Sequence, residues 1–484
     1  MEDNIDQPNM DSRIKPPDVF LSYCSKNDNI ANEIDLVFQK NGIMLRRDKR
    51  EIVYMKSIKD FMNSINKSDF VVMIFSDEYL KSEGCMYEVN EVLNTHEFEK
   101  RIIPILLTNA KSIFDNKARV HYYDYWKTEL GDAEKRLKEH SNIDHFKQME
   151  RLKDINNSLG KFFDKVIDIK MFSFEELKEQ NYRPILKIFG IEERKLYDEV
   201  ISISNIKNYE KQELAFEDFL SKYPDNKYGL FYRGYMANEN KKFDKAKAYY
   251  EVFLDKYPRE TGAHNNFAVL LERQFNESDN ARKHHEIALR IDPNNYFSHY
   301  NFAMLLENQF YEFENARKHH EEAIRINPLL YQSHYNLALL LEKHLGEYEL
   351  SKKHYEEAIR LDSELSDAHN NLANLLVSHF PELRNDARKH FEEAIRTKWD
   401  NFNAHNNYAL FLRENTNEFD KSKKHFEIAI NMNPDFAEAY LNLSGLLCLK
   451  LDSKEEAKVN YIKATNLKPS LINTKLDQYF EILR

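Results

Sequence analysis

The chain has 484 residues, of which 42% are hydrophobic and 31% charged, and it carries a formal net charge of −11. This length exceeds the roughly 250–300 residues that one hydrophobic core usually serves, so more than one domain is expected. The negative charge argues against nucleic acid as the main partner, because phosphate binding needs a local excess of Lys and Arg. The cysteines Cys24, Cys85 and Cys448 are too scattered for a disulfide framework, which favours a reducing compartment.

The N-terminal segment MEDNIDQPNMDSRIKPPD lacks the apolar core of a signal peptide. No stretch approaches the ~18 consecutive apolar residues that a membrane span needs. We therefore expect a cytoplasmic protein without a membrane partner, whose residues 1–15 form a disordered N-terminus.

Residues 16–190 alternate short apolar runs with helical segments. The apolar runs are DVFLSY from Asp18, IMLRRD from Ile43, FVVMIFS from Phe70 and RIIPILL from Arg101. This rhythm predicts an α/β domain with a flavodoxin-like parallel sheet, and the last two runs are continuously apolar, as buried central strands are. Ligands of such sheets bind outside the carboxyl ends of the strands. The segment contains no GxGxxG or P-loop motif, so nothing in it supports a conventional dinucleotide fold or an ATPase.

Three of these segments carry a family resemblance. DVFLSY, the stretch SDFVVMIFSDEYLKSEGCMYEV over Ser68–Val89 and RIIPILL stand in the order found in TIR (Toll/interleukin-1 receptor-like) domains. The pattern YLKS-x-x-C-x-x-E resembles bacterial members in particular. The resemblance covers roughly residues 16–190, including a C-terminal helical extension around Trp126.

The resemblance implies an activity, because many TIR domains cleave the bond between nicotinamide and ribose in NAD+. It carries the essential glutamate onto Glu88, three residues after Cys85. A carboxylate suits this chemistry, because it can stabilise the oxocarbenium-like transition state that forms when neutral nicotinamide leaves. NAD+ would be the substrate and no cofactor is expected. The expected NAD+ contacts are Phe20, Ser22, Tyr23, Asp48 and Cys85, and without the resemblance Glu88 would be read as a surface helix residue.

The chain departs from the family pattern four residues before the glutamate, and also near Met55, where the family usually has a glycine. Enzymatic relatives often have a tryptophan four residues before the glutamate, where this chain has Gly84. Stacking on the substrate would then come from Tyr23, Tyr54 or Tyr87. TIR sites are typically completed by a neighbouring TIR domain, so the resemblance also implies self-association.

The C-terminal part of the chain is an internal repeat. HNNFAVLLE at His264 recurs in related form at His299, His334, His369, His405 and Tyr440, at spacings of 35 or 36 residues. A second block, ARKHHEIALRIDP and its variants, recurs in phase. Small residues repeat in both blocks, as closely packed antiparallel helices require. The pattern resembles the tetratricopeptide repeat and predicts an all-α solenoid of about eight units over residues 191–470, followed by a capping helix over 471–484.

One polar position repeats in the first helix of six successive units. It holds Asn266, Asn301, Asn336, Asn371, Asn407 and Asn442. By resemblance, this position faces the concave groove, where such amides could bind the backbone of a protein or peptide partner. The alternative is architectural, with the amides bonding to neighbouring helices. The paired histidines His284–His285 and His319–His320 invite a metal interpretation, but their repetition with the structural period favours a structural ladder.

These observations lead to two hypotheses. The first is an NAD+ glycohydrolase or cyclase of a bacterial antiviral defence system, which assembles when the solenoid senses a trigger. The second is a non-enzymatic TIR adaptor that recruits proteins. Glu88 discriminates between them, since an adaptor needs no carboxylate there. A virulence effector is a weaker third hypothesis, because no secretion signal is visible.

Overall fold

The computed structural model describes residues 16–47, 68–93, 98–108, 110, 116–140, 142–167, 169–450 and 452–481. The chain divides into two compact units, the first ending at Pro224 and the second beginning at Asp225. This division places two further helices after residue 190 with the first unit. The disordered N-terminus predicted for residues 1–15 lies outside the described residues.

The first unit contains a parallel sheet, as the sequence predicts. Its five described strands run in the order β2-β1-β3-β4-β5, and every neighbouring pair is parallel. This is the flavodoxin-like order, in which the strand sequence reverses between β1 and β3. The strands are β1 (Val19–Ser22), β2 (Leu45–Arg47), β3 (Phe70–Phe75), β4 (Ile102–Leu106) and β5 (Phe172–Ser173).

Helices cover both faces of this sheet. The helices of this unit are α1 (Asp28–Lys40), α2 (Asp77–Leu80), α3 (Glu83–Leu93), α4 (Phe98–Arg101), α5 (Asn116–Glu139), α6 (Ile143–Ile167), α7 (Phe174–Glu179), α8 (Arg183–Ile188), α9 (Ile191–Ser204) and α10 (Tyr209–Lys222). Successive strand residues alternate between the two faces. Phe20 and Met73 therefore join the core beneath α3, α5 and α6, whereas Leu21 and Val72 join the core beneath α1 and α8.

The second unit is a run of antiparallel helix pairs. In chain order the helices are α11 (Lys227–Glu239), α12 (Phe243–Lys256), α13 (Thr261–Phe275), α14 (Ser278–Ile291), α15 (Tyr296–Leu305), α16 (Phe313–Ile326), α17 (Tyr331–Leu340), α18 (Tyr348–Leu361), α19 (Ser366–His379), α20 (Arg384–Thr397), α21 (Phe402–Phe411), α22 (Phe419–Met432), α23 (Ala437–Leu449), α24 (Lys454–Leu467) and α25 (Thr474–Tyr479). Each odd-numbered helix from α11 to α23 is helix A of a unit, and the next is helix B. After the last pair, α25 brings the Phe480 ring to 5.5 Å from the ring of Tyr461.

Small residues lie where the two helices of a unit meet. Ala338 of helix A and Ser351 of helix B are both fully buried, and the Ser351 hydroxyl donates to the Ala338 carbonyl at 2.8 Å. Ser422 makes the equivalent bond to Ala409 at 2.7 Å. The backbones can approach this closely because no larger side chain separates them. The repeat of small residues in the sequence therefore fixes the packing within each unit.

Three repeat units accommodate the residue in excess of the usual ~34 at the end of helix A. In three units this helix ends in a π-helical turn, over Leu306–Phe310, Leu341–Leu345 and Leu412–Thr416. A wider turn takes up one extra residue without breaking the helix. The residue that follows is left-handed, with φ of 57° at Tyr311 and 68° at Gly346.

Candidate functional site

The carboxyl ends of β1 and β3 lie side by side, with Ser22 opposite Met73 in the parallel ladder. This is the point at which the strand order reverses, where open parallel sheets bind their ligands. Ser22 ends β1, and Ser76 follows β3 directly. Any polar side chain that the following helices bring to this edge is a candidate for ligand binding.

Helix α3 brings Glu88 to this edge. The Ser22 hydroxyl donates a hydrogen bond to Glu88 Oε2 at 2.6 Å. The hydroxyl of Tyr79 lies 2.6 Å from the same Ser22 oxygen. Ser22 and Tyr79 are buried and Glu88 is half-buried. Glu88 is therefore held by a buried polar group at the end of the sheet, unlike a solvated surface carboxylate.

Two serines of the segment SDEYLKSEGC set the helices that carry these groups. Ser76 caps α2 by accepting a hydrogen bond from the Tyr79 N–H at 3.0 Å, and it donates to Asn27 at 2.8 Å. Ser82 accepts from the Cys85 N–H at 3.4 Å at the start of α3. A serine oxygen at this position satisfies an N–H that has no partner within the helix.

The helical extension holds the same segment from the other side. The indole of Trp126 in α5 donates to the Leu80 carbonyl at 3.0 Å, and the Tyr125 hydroxyl donates to the Lys81 carbonyl at 3.1 Å. In α6, Arg151 forms an ion pair with Glu83 at 2.7 Å. The helical pair α5–α6 thus fixes the backbone between α2 and α3.

Phe20 and Cys85, two of the expected NAD+ contacts, lie in the core beneath α3. Phe20 is fully buried and Cys85 is nearly so. Both belong to the cluster that also contains Tyr79 and Phe75. The structure thus gives Phe20 a packing position under the site, with no ring surface open to solvent.

Tyr23, another expected contact, is not brought to Glu88. It packs in the core on the opposite face of the sheet, because residues 22 and 23 alternate at the end of β1. Its hydroxyl accepts from Arg47 at 3.0 Å and donates to Asp28 at 2.9 Å. Burial raises the pKa of Tyr23 above its ordinary value. Arg47 also forms an ion pair with the buried Asp35 at 3.0 Å.

Asp48, the remaining expected NAD+ contact, lies outside the described residues.

The repeat asparagines make a second set of predicted functional residues. From the second unit of the ladder onward, each amide nitrogen donates to a side chain in helix A of the preceding unit at 2.9–3.1 Å. The donors are Asn301, Asn336, Asn371, Asn407 and Asn442, and their acceptors are Asn265, Tyr300, Tyr335, Asn370 and Asn406, in that order. Asn266 accepts from Asn265 at 3.3 Å. The amide nitrogens therefore connect neighbouring repeat units, as the architectural alternative predicts. Partner binding by these residues stays a prediction.

Comparison with protein families is consistent with both halves of this description. A profile described as a TIR domain matches residues 19–139, and profiles described as tetratricopeptide repeats match residues 228–259, 331–365 and 437–471. The chain carries a TIR domain followed by tetratricopeptide repeats.

Solved structures similar to the chain are repeat proteins. The crystal structure of YrrB, a tetratricopeptide-repeat protein with an unusual peptide-binding site, is 20% identical, with a TM-score of 0.33 over 41% of this chain and 98% of that one. A tetratricopeptide-repeat protein from Parabacteroides merdae is 16% identical, with a TM-score of 0.40 over 53% of this chain and 98% of that one. The C-terminal part of a repeat protein from Cytophaga hutchinsonii is 16% identical, with a TM-score of 0.40 over 51% and 99%.

Histidine pairs join the two helices of five repeat units. The pairs are His264–His284, His299–His319, His334–His354, His369–His390 and His405–His425, with Nδ1–Nδ1 distances of 2.8–3.0 Å. In four units the helix A ring also contacts a backbone carbonyl through Nε2, as His264 does with Pro258 at 3.1 Å. A carbonyl only accepts, so Nε2 carries the proton there. The bare Nδ1 then accepts from the helix B histidine.

Burial and the neighbouring ring disfavour a charge on these histidines. Burial and, after it, the paired histidine lower the pKa of each helix B member to about 4, from an ordinary value of 6.5. His285 and His320 are fully buried, and burial lowers the pKa of each to about 3. The pairs are therefore neutral structural links at pH 7.

Neither a metal-binding cluster nor a membrane-spanning helix is found among the residues that the structure describes. No group of three or more His, Cys, Asp or Glu residues is arranged there to hold a metal ion. Among the same residues, no helix combines the length and the apolar character that crossing a bilayer requires.

The sequence analysis did not single out Tyr79, although this residue stands in the YLKS motif and contacts Ser22.

Proposed function

We propose that the TIR domain is an NAD+ glycohydrolase in which Glu88 is the catalytic residue. The observation that carries this proposal is the 2.6 Å hydrogen bond from Ser22 to Glu88 at the reversal point of the sheet. This edge is where a nucleotide is expected to bind. An oriented carboxylate at that edge can interact with a ribose and with the positive charge that develops on it.

The reaction balances with NAD+ and water alone. The bond between ribose C1′ and the nicotinamide nitrogen breaks, and its electron pair stays on nitrogen, so nicotinamide leaves as a neutral molecule. Water adds to C1′ and releases one proton, which gives ADP-ribose. Attack by an adenine nitrogen in place of water would give the cyclic product. Glu88 stabilises the cationic transition state between these steps, and no cofactor is required.

The proposal includes regulation by the repeats. Tetratricopeptide repeats commonly bind proteins or peptides on the concave face of the solenoid. A protein or peptide trigger that binds there would bring TIR domains together, and self-association would complete the NAD+ site. We place this activity in the cytoplasm and in antiviral defence, without a nucleic acid or membrane partner.

A non-enzymatic adaptor is the second candidate, and Gly84 is the observation that favours it. Many enzymatic relatives have a tryptophan at this position. Here the side chain is absent, and a Cβ built on Gly84 would have no atom within 4 Å. A ring for substrate stacking would then come from another residue, and Tyr87, which precedes Glu88 in α3 and is half-buried against the core, is the candidate among the described residues.

Replacing Glu88 by Gln tests the proposal. The substitution keeps the shape and removes the charge, so nicotinamide release from NAD+ should fall at least about 100-fold while the melting temperature stays within 2 °C or so. Glu83→Gln is the matched control, because Glu83 lies on the same helix and pairs with Arg151 instead. Unchanged turnover in Glu88→Gln would reject the assignment, and an inactive wild type under crowding would favour the adaptor.

A further inference from the structure

Three side chains from different elements form a hydrogen-bonded chain that ends at Glu88. The Tyr79 hydroxyl of α2 contacts Ser22 Oγ of β1 at 2.6 Å, and Ser22 contacts Glu88 Oε2 of α3 at 2.6 Å. Tyr79 stands 57 positions from Ser22, and Glu88 stands 66 positions from it. Only the tertiary structure brings these groups together.

The directions of the two bonds follow from the number of protons available. Ser22 has one hydroxyl proton, and the Glu88 carboxylate can only accept, so Ser22 donates to Glu88. The Ser22 oxygen must then accept from Tyr79. Tyr79 retains its proton, because burial and then electrostatic repulsion from Cys85 and Glu88 hold the pKa of the phenol well above its ordinary value. Protons therefore point from Tyr79 to Ser22 to Glu88.

We propose that Tyr79 is a positioning residue for Glu88 that acts through Ser22. This inference rests on the proposed NAD+ cleavage and adds a residue to it. An unrestrained serine side chain can occupy three staggered rotamers. The hydrogen bond from Tyr79 favours the rotamer in which the Ser22 hydroxyl donates to Glu88. Hydrogen bonds in series also strengthen one another in a buried setting.

Tyr79 is itself held firmly enough to do this. Its side chain is fully buried, and its ring packs edge-on against Phe75 with a centroid distance of 5.2 Å. Its backbone N–H is bound by Ser76, and the next carbonyl, that of Leu80, is bound by Trp126. The helical extension thereby supports the orientation of Glu88 from a distance.

The test compares two tyrosines in the same core cluster. Tyr79→Phe removes the hydroxyl that contacts Ser22, and Tyr122→Phe removes a half-buried hydroxyl that donates to Asp77 at 3.1 Å. We expect kcat for NAD+ to fall about 10-fold in Tyr79→Phe, with KM within about 2-fold. Tyr122→Phe should keep both constants, although it also loses a hydrogen bond from a tyrosine hydroxyl.

A double-mutant cycle shows whether Tyr79 acts through Ser22. Ser22→Ala breaks the chain at its centre, so adding Tyr79→Phe should cause almost no further loss of kcat. Multiplicative losses in the double variant, or equal losses in Tyr79→Phe and Tyr122→Phe, would overturn the inference. Melting curves of all variants separate these effects from loss of fold.

Crystal structures of the full-length variants provide a readout that does not depend on turnover. The Ser22 hydroxyl should leave its wild-type position in Tyr79→Phe and keep it in Tyr122→Phe. An unmoved Ser22 in Tyr79→Phe would overturn the positioning role. If the wild type cleaves no NAD+, the proposed function fails by itself, and these structures still decide whether Tyr79 positions Ser22 and Glu88.

Discussion

At the scale of single residues, the repeat asparagines show how a buried amide can connect one unit to the next. Asn336 is buried and donates to the hydroxyl of Tyr300, which is also buried, at 2.9 Å. Burial raises the pKa of Tyr300 above its ordinary value, while the Asn336 hydrogen bond opposes this shift. Neither group has ready access to water, so the loss of one partner leaves the other unsatisfied.

We therefore predict that Asn336→Ala lowers the free energy of unfolding by about 1–3 kcal/mol. Combined with Tyr300→Phe, it should cost less than the sum of the two single changes, with a coupling energy of about 0.5–1.5 kcal/mol. Urea denaturation of the four proteins in the cycle measures this coupling. A coupling energy of zero would show that this amide contributes nothing to the contact between units.

At the scale of elements, histidine pairs make the contact between helix A and helix B sensitive to acid. Each neutral pair has a proton between the two Nδ1 atoms. A second proton would place two N–H groups face to face in a partly buried site. His285 and His320 add a different cost, since neither ring nitrogen of these residues has a hydrogen-bond partner among the described residues. Other units have Tyr355, Phe391, Phe426 or Tyr461 at the equivalent position.

Acid should therefore destabilise the repeats well above the pH at which the folded histidines titrate. The folded pKa values of about 4 and about 3 lie below the ordinary value of 6.5, so the unfolded chain binds more protons in this window. The contribution to stability is complete above pH 6.5 and is lost as the pH falls through the window. We expect the urea midpoint of the wild type to change little above pH 6.5 and to fall steeply between pH 6.5 and pH 5.

The double variant His285→Phe, His320→Phe should flatten this dependence. The substitution gives both positions an aromatic ring, as later units have. Unfolding then takes up as many as two protons fewer, so the free energy of unfolding should depend less on pH by roughly 2–3 kcal/mol per pH unit near pH 5. His140→Gln, at an exposed residue of the TIR domain, is the control. An equally steep fall in the double variant would mean that other groups govern acid unfolding.

At the scale of the whole molecule, the TIR domain and the repeats are separate compact units. The first unit extends to Pro224 and includes α9 and α10. Ile191, at the start of α9, is buried in the sheet core with Ile185 and Phe189. A segment cut at residue 190 would lose this contact, so residues 1–224 form the better segment for study.

If neighbouring TIR domains complete the NAD+ site, the residue 1–224 segment should be nearly inactive when dilute. Its rate of nicotinamide release should rise more steeply than linearly with concentration, because the active species is an assembly. Adding the same segment with Glu88→Gln should activate a dilute wild-type sample, since it can still complete a neighbour's site. A strictly linear rate, with no effect of the Gln segment, would contradict a shared site.

The sequence by itself determined the two architectures. The continuous apolar runs and their order predicted the parallel sheet, and the 35-residue period predicted the helix pairs. Both predictions depend on the local spacing of apolar residues, which can be read from any short segment of the chain. The sequence also predicted that Ser22 and Glu88 lie at the carboxyl edge of the sheet, because motif spacing and strand ends are local properties. The alternation along β1 is also local, and it predicts that Ser22 and Tyr23 lie on opposite faces of the sheet.

The tertiary structure alone decided which polar groups become partners. Tyr79 reaches Glu88 through Ser22 because α2 follows β3, which lies beside β1 in the sheet, and no local pattern encodes that meeting. The repeat amides reach a residue 36 or 37 positions back, so their partners depend on the offset between stacked helices. The same holds for the histidine pairs, 20 or 21 positions apart. Hydrogen bonds act over about 3 Å, and only a folded chain specifies which distant groups come within that range.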